Sequence, residues 1–191
     1  IGDEMIWSCH RCLIYLGDLD RYAQLYVEGG QSDWRIPEKH YDAASMLLPH
    51  VGNPHNQIAV LATYRADDLA GVYSYARALL CASPFVTARE NLSLLFEKNR
   101  QKCRDLHGRN FSKAGSRTGS VDVHSKKRAD FCSRFVRLQG VLWTKVDIDE
   151  YKMIESSLLT EFINLLDVGD LDGIPLIMVA VTSIFIIHQI E

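Results

Sequence analysis

Leu16-Gly17-Asp18-Leu19-Asp20-Arg21-Tyr22 is the stretch on which the fold turns. It lies inside a run, residues 7–26, that reads as one amphipathic helix. Leu13, Leu16, Leu19 and Ala23 recur three and four apart, which predicts a shared, core-facing side. Gly17 costs a helix about 1 kcal/mol relative to Ala, so its presence points to a second helix coming close. Arg21 and Tyr22 set a cation beside a phenol on the same helix.

Outward from this helix the pattern repeats. Residues 27–35 hold Gly29-Gly30 and Ser32-Asp33, a loop. Pro37 suits the first turn of a second helix running to about Leu48, before Pro49. Gly52-Asn53-Pro54 marks a turn, and residues 56–65 form a third helix with Ile58, Leu61 and Ala62 apolar. Asp67 or Asp68 caps a fourth helix bearing Leu69, Val72, Tyr73, Ala76 and Leu80, and Pro84 ends it. Thr87 caps a fifth, with Ala88, Leu92, Leu95 and Phe96. Leu16-Gly17, then Tyr41-x-x-Ala44 and Pro49, follows the tetratricopeptide pattern of Leu-Gly, an aromatic, Ala and a closing Pro. Such pairs stack, because one pair cannot bury its own apolar face. The fold expected is therefore all-α, built from antiparallel helix pairs.

Beyond the fifth helix the composition changes. Residues 98–137 carry 12 Lys/Arg against 3 Asp/Glu, whereas residues 147–172 carry 8 Asp/Glu against one Lys. Residues 107–128 are rich in Gly, Ser, Lys and Arg, which reads as a flexible loop. The basic stretch, with Lys126, Lys127 and Arg128, is either a nucleic-acid or acidic-partner contact or a solvated linker. Helical pattern resumes with Phe131, Phe135, Leu138 and Leu142. Asp149 is placed to cap a helix whose stripe is Met153, Ile154, Ser157, Leu158, Phe162 and Leu165. Ile174 to Ile187 is apolar almost throughout. That run is shorter than the roughly 20 residues a membrane span needs, so it reads as a buried core helix and no membrane partner is expected. The organisation expected is a helical region at 1–105, a basic flexible loop at 106–129 and a C-terminal helical region at 130–191.

The totals set outer bounds. The chain has 191 residues, 47% hydrophobic and 24% charged, with a net charge of −3: ordinary globular composition, and no overall signature of a polyanion binder. Five Cys, an odd number at scattered spacing, argue against a disulfide framework. Cys9-x-x-Cys12 is a single pair, and a structural zinc site needs four ligands, so no metal and no cofactor is expected. No phosphate-cradling Gly loop and no Gly-x-Ser-x-Gly occurs, so no catalytic residue is named and the chain reads as a non-enzyme. Arg21 and Tyr22 are the strongest binding candidates, since a guanidinium fork and a hydroxyl match a phosphate group. Asp18 or Asp20 can instead hold Arg21 in a salt bridge. Asn56, near the start of the third helix, can bond an extended peptide's backbone.

Residues 12–22, His40-Tyr41-x-x-Ala44, Pro49 and the run from Gly52 to Ala62 together resemble the SMG family of nonsense-mediated mRNA decay factors, which includes the ever-shorter-telomere proteins. Val72-Tyr73-x-Tyr75-x-Arg77-x-Leu79, Ser83-Pro84-Phe85 and Ala88-x-x-Asn91-Leu92 continue the likeness, and Leu142-Trp143-Thr144 carries it more loosely toward the C-terminus. The resemblance implies an all-helical, 14-3-3-like domain of tetratricopeptide-type pairs followed by a helical hairpin region. It implies a phosphopeptide-binding adaptor whose partners are the phosphorylated up-frameshift RNA helicase and other SMG-type decay factors, in cytoplasm and nucleus. Gly17-Asp18-x-x-Arg21-Tyr22 matches the Gly-Asp-x-x-Arg-Tyr of 14-3-3 proteins, in which Arg and Tyr hold phosphate, and Asn56 corresponds to their peptide-holding Asn. The alternative implied by the telomere members is a telomerase-associated module touching RNA or telomeric DNA through Lys126, Lys127 and Arg128. The 14-3-3 site draws further cations from helices that precede this Arg-Tyr pair, so the chain is expected to be a fragment with part of the site upstream. Asp20 stands where the family more often has a small residue, and is expected to compete for Arg21.

Overall fold

The computed structural model describes residues 2–27, 29, 31–110 and 123–190. Among them are eight α-helices and no strand: α1 (Asp3–Leu25), α2 (Arg35–Leu47), α3 (Asn53–Tyr64), α4 (Asp68–Leu80), α5 (Ala88–Asn110), α6 (Val123–Thr144), α7 (Tyr151–Val168) and α8 (Gly173–Ile190). The chain divides into two compact units, with the division between Asn91 and Leu92. Both this division and the boundary expected after residue 105 lie inside α5.

In the first unit α1 packs on α2 and α3 on α4, each pair a hairpin. Gly17 is the reason α1 and α2 approach so closely. A Cβ there would lie 2.5 Å from Cε1 of Tyr41, whose side chain is fully buried. Gly17 therefore turns its own side of α1 inward, and His10, Ile14, Gly17 and Arg21 are the buried residues of that helix. The expected face was the wrong one: Leu16 and Leu19 are 47% and 65% exposed. Apolar spacing lost to the helix's one site of close approach. Ile14, Tyr41, Ala44 and Leu61 make the core cluster, flanked by Leu13, Trp34 and Ile58. Burying a side chain such as Leu61 contributes roughly 1.5–3 kcal/mol. Pro54 sits in the first turn of α3, and the Asp67 carboxylate caps α4 by accepting from the Ala70 amide at 3.0 Å.

The second unit pairs α6 with both α7 and α8. Phe131, Phe135 and Phe162 stack in its core, and Trp143 stacks on Phe185 while its indole N–H donates to Ser93 Oγ at 2.9 Å. Of the flexible loop expected at 106–129, residues 106–110 and 123–129 are helical. α5 runs to Asn110 and α6 starts at Val123, while residues 111–122 lie outside the described residues. Lys126, Lys127 and Arg128 thus stand exposed on the first turns of a helix, where long straight side chains are good helix formers. Asp149 does not cap α7. It lies in a 3-10 turn, Ile148–Glu150, and Glu150 precedes the helix without a side-chain cap. The carboxylate that anchors this connection is Asp147, in a left-handed backbone conformation and held by Arg100, Arg104 and Arg137.

The final apolar segment forms α8, but most of it is not core. Only Val179, Thr182, Phe185 and Ile186 are buried; Ile174, Ile177, Ile184 and Ile187 are exposed. A helix that is apolar all round has more greasy surface than its neighbours here can cover. By length and composition α8 is also the one helix among the described residues able to cross a membrane, with 22% of it buried.

Candidate functional site

Arg21 lies on the inner edge of α1 with its side chain 10% exposed. Its Nη2 donates to Asp18 Oδ1 at 3.0 Å, and its Nε donates to the Tyr41 hydroxyl at 3.3 Å. The same hydroxyl donates onward to Asp18 Oδ1 at 2.8 Å. Its guanidinium carbon stands 4.4 Å from the centre of the Tyr22 ring, a cation–π contact. Asp18 and Arg21 are three apart on α1, so helix geometry alone brings them together. Tyr41 arrives from α2 because Gly17 makes room for its ring.

The electrostatics follow from this closed triangle. Burial works against the charged guanidinium, but the hydrogen bonds to Tyr41 and Asp18 help outweigh it and hold Arg21 above its ordinary pKa. Burial pushes the Tyr41 phenol up, with the Arg21 hydrogen bond pulling the other way. At physiological pH Arg21 is a fixed cation and Tyr41 a neutral phenol. Asp20 does not compete for Arg21; it pairs with His40 Nε2 of α2 at 3.0 Å.

Of the residues singled out from sequence, Arg21 and Tyr22 meet, with Tyr22 half exposed. Asn56 does not join them. It is 4% exposed, and its Oδ1 accepts from Asn91 Nδ2 at 3.0 Å, an amide pair tying α3 to the start of α5. The Tyr41 hydroxyl was missed, because the repeat pattern accounts for an aromatic ring at that position and says nothing of its oxygen. Cys9 and Cys12 are exposed free thiols. Among the described residues no three His, Cys, Asp or Glu side chains come together as a metal site. Two imidazoles in this unit are buried with unpaired nitrogens: both of His10 and Nδ1 of His55.

Paired helices around a buried Arg–Asp–Tyr triangle define an all-α scaffold with a cation built into its first hairpin. A family model described as the Est1 DNA/RNA binding domain matches residues 37–189, and one described as Telomerase activating protein Est1 matches residues 2–27. The chain belongs to the Est1 DNA/RNA binding domain family. Among its relatives is nonsense-mediated mRNA decay factor SMG7 of Arabidopsis thaliana, 36% identical over 186 residues, covering 83% of this chain and 18% of that protein. Nonsense-mediated mRNA decay factor SMG5 of Danio rerio is 34% identical over 165 residues, covering 83% and 14%. Telomerase-binding protein EST1A of Danio rerio is 35% identical over 102 residues, covering 53% and 6%. The chain spans less than a fifth of the length of these curated relatives.

Proposed function

We propose that this chain is part of a non-enzymatic adaptor in nonsense-mediated mRNA decay, and that its first unit reads a phosphorylated segment of the up-frameshift RNA helicase. The observation that carries the reading is Arg21, oriented by Tyr41 and Asp18 and laid against the ring of Tyr22. A guanidinium held in place loses little entropy on meeting a phosphate, and the half-exposed Tyr22 hydroxyl adds a donor. The named relatives among the decay factors support the pathway, and the helicase and other SMG-type factors are taken as partners from the family resemblance. Asn56 is left out of this reading, since it is buried and its Oδ1 accepts from Asn91.

A second reading, a telomerase-associated nucleic-acid module, has its own observation: Lys126, Lys127 and Arg128 exposed along the start of α6, within the span matched by the Est1 domain. One binding experiment separates the two. Anisotropy is read with a phosphoserine peptide of the helicase and with single-stranded RNA and telomeric DNA at two salt concentrations. On the first reading the phosphopeptide binds, its unphosphorylated form does not, and both Arg21→Glu and Tyr22→Phe weaken it, the former by about tenfold or more. Unchanged binding in both variants removes that reading. The second reading requires nucleic-acid affinity that falls steeply with salt and flattens when the three basic residues become Gln.

A further inference from the structure

We propose that the second unit holds a separate phosphate-binding cavity, walled by Arg104 and Arg137, that takes a phosphorylated side chain presented by an apolar protein segment. The cavity measures about 470 Å³. α5 contributes Arg104 and Cys103 to its wall, α6 contributes Arg134 and Arg137, and α7 contributes Met153 and Ile154.

Donor accounting carries the inference. Arg137 is 5% exposed, yet only its Nη2 is bonded, to Asp147 Oδ2 at 2.7 Å and Glu150 Oε2 at 2.9 Å. Arg104 uses only its Nη2, which reaches both oxygens of Asp147 at 3.1 Å. Among the described residues, Nε and Nη1 of both guanidiniums have no hydrogen-bond partner. Neither is sealed away from a ligand, since among the described residues the buried side-chain atoms without a partner are those of His10, His55 and Thr182. Those nitrogens reach solvent at the cavity wall, so a ligand's oxygens can take the place of water there. Charge points the same way. Three guanidiniums and one carboxylate, Glu150, line the cavity, while Asp147 and Glu161, which pair with those arginines, lie outside the lining.

The chemistry of the walls selects the ligand. Paired guanidinium edges match the oxygens of a phosphate, with charge-assisted hydrogen bonds on two sides. A free anion would leave the apolar wall bare, and Met153 is 66% exposed there. A polyanionic strand is disfavoured by the rest of α7, where Glu155, Glu161 and Asp167 face a single cation, Lys152. One phosphate on a protein segment with apolar neighbours satisfies both walls.

The test uses the full chain carrying Arg21→Gln, so this cavity and the Arg21 site can fail separately. The probe is a short peptide with a central phosphoserine flanked by leucines, against its unphosphorylated form and against oligouridylate. Binding should require the phosphate and fall about tenfold in Arg104→Gln. It should also weaken in Met153→Asp, a surface change that leaves the arginines in place. The Nε–H resonances of Arg104 and Arg137 should shift with the phosphopeptide alone. Equal binding of both peptides, no binding, or undiminished binding in Arg104→Gln overturns the proposal. So does oligouridylate shifting those resonances more than the peptide does.

Discussion

Arg21 and Arg137 are both nearly buried cations on helices, and the two units treat them differently. In the first unit a single carboxylate, Asp18, and the Tyr41 phenol close around Arg21, and the Tyr22 ring covers its face. In the second unit one carboxylate, Asp147, is shared by three arginines, and two of those have nitrogens to spare. The first arrangement uses Nε and Nη2 of one arginine for positioning and leaves its Nη1 open. The second leaves Nε and Nη1 of two arginines open. The difference is between a single oriented cation and a wall of several.

The units also differ in how much a wrong side chain should hurt. Gly52 is wedged at the start of α3, where a Cβ would sit 2.2 Å from the Ala78 carbonyl oxygen and 2.7 Å from the Phe85 amide. Backbone cannot step aside as a flexible side chain can. Gly52→Ala should cost more than about 3 kcal/mol in urea denaturation and melt the first unit. Gly140→Ala in the second unit meets only the Phe96 side chain, at 3.1 Å, and should cost about 1 kcal/mol. Equal losses would mean that the α3–α4 contact is looser than its geometry.

Acid should take the units apart in order. Burial, with the nearby Arg77 charge, lowers His55 to about 4, and burial with His50 lowers His10. A base whose pKa is depressed on folding stays neutral while the unfolded chain takes up protons. Stability of the first unit should therefore fall as pH drops from about 6.5 toward 4, by about 3 kcal/mol for His55, and level off below. His55→Gln should flatten that slope. In the second unit the Arg100 hydrogen bond lowers Glu97 to about 2, while the charges of Arg104 and Arg137 outweigh burial and lower Asp147. A depressed carboxylate contributes stability above its unfolded pKa, near 4.5 for Glu97, and loses it as pH falls toward 2. Amide exchange at stepped pH should show the first unit loosening before the second; simultaneous loss would contradict the assignment.

The smallest change sharpens the Arg21 side of the comparison. Tyr41→Phe keeps the ring against Gly17 and deletes the hydroxyl shared by Arg21 and Asp18. It should cost about 1–2 kcal/mol in thermal denaturation and let Arg21 exchange among rotamers, seen as a sharper, faster-exchanging Nε–H signal. An unmoved signal would show that Asp18 alone holds the guanidinium.

Much of this was legible along the chain. Gly17 announced a close helix contact, Pro37 and Asp67 marked helix starts, and the resemblance of residues 12–62 pointed to the family that the Est1 domain match defines. The site was legible in part. Asp18 and Arg21 are neighbours by helix geometry, so their pairing needed no tertiary knowledge. The choice of Asp18 over Asp20 did, since His40 had to arrive from α2 to claim Asp20. Asn56 looked free to bind a peptide only because Asn91, 35 positions later, cannot be placed beside it from periodicity.

By itself the sequence determined the helices and the first hairpin's point of contact. Turn residues, caps and apolar period are local properties, and a glycine's missing Cβ acts wherever a neighbour comes near. Only the tertiary structure decided which face of α1 is buried, that Tyr41 completes the Arg21 triangle, and that arginines from α5 and α6 share one aspartate with donors left open. Those depend on side chains brought together from distant positions, and hydrogen-bond satisfaction has no periodicity to read.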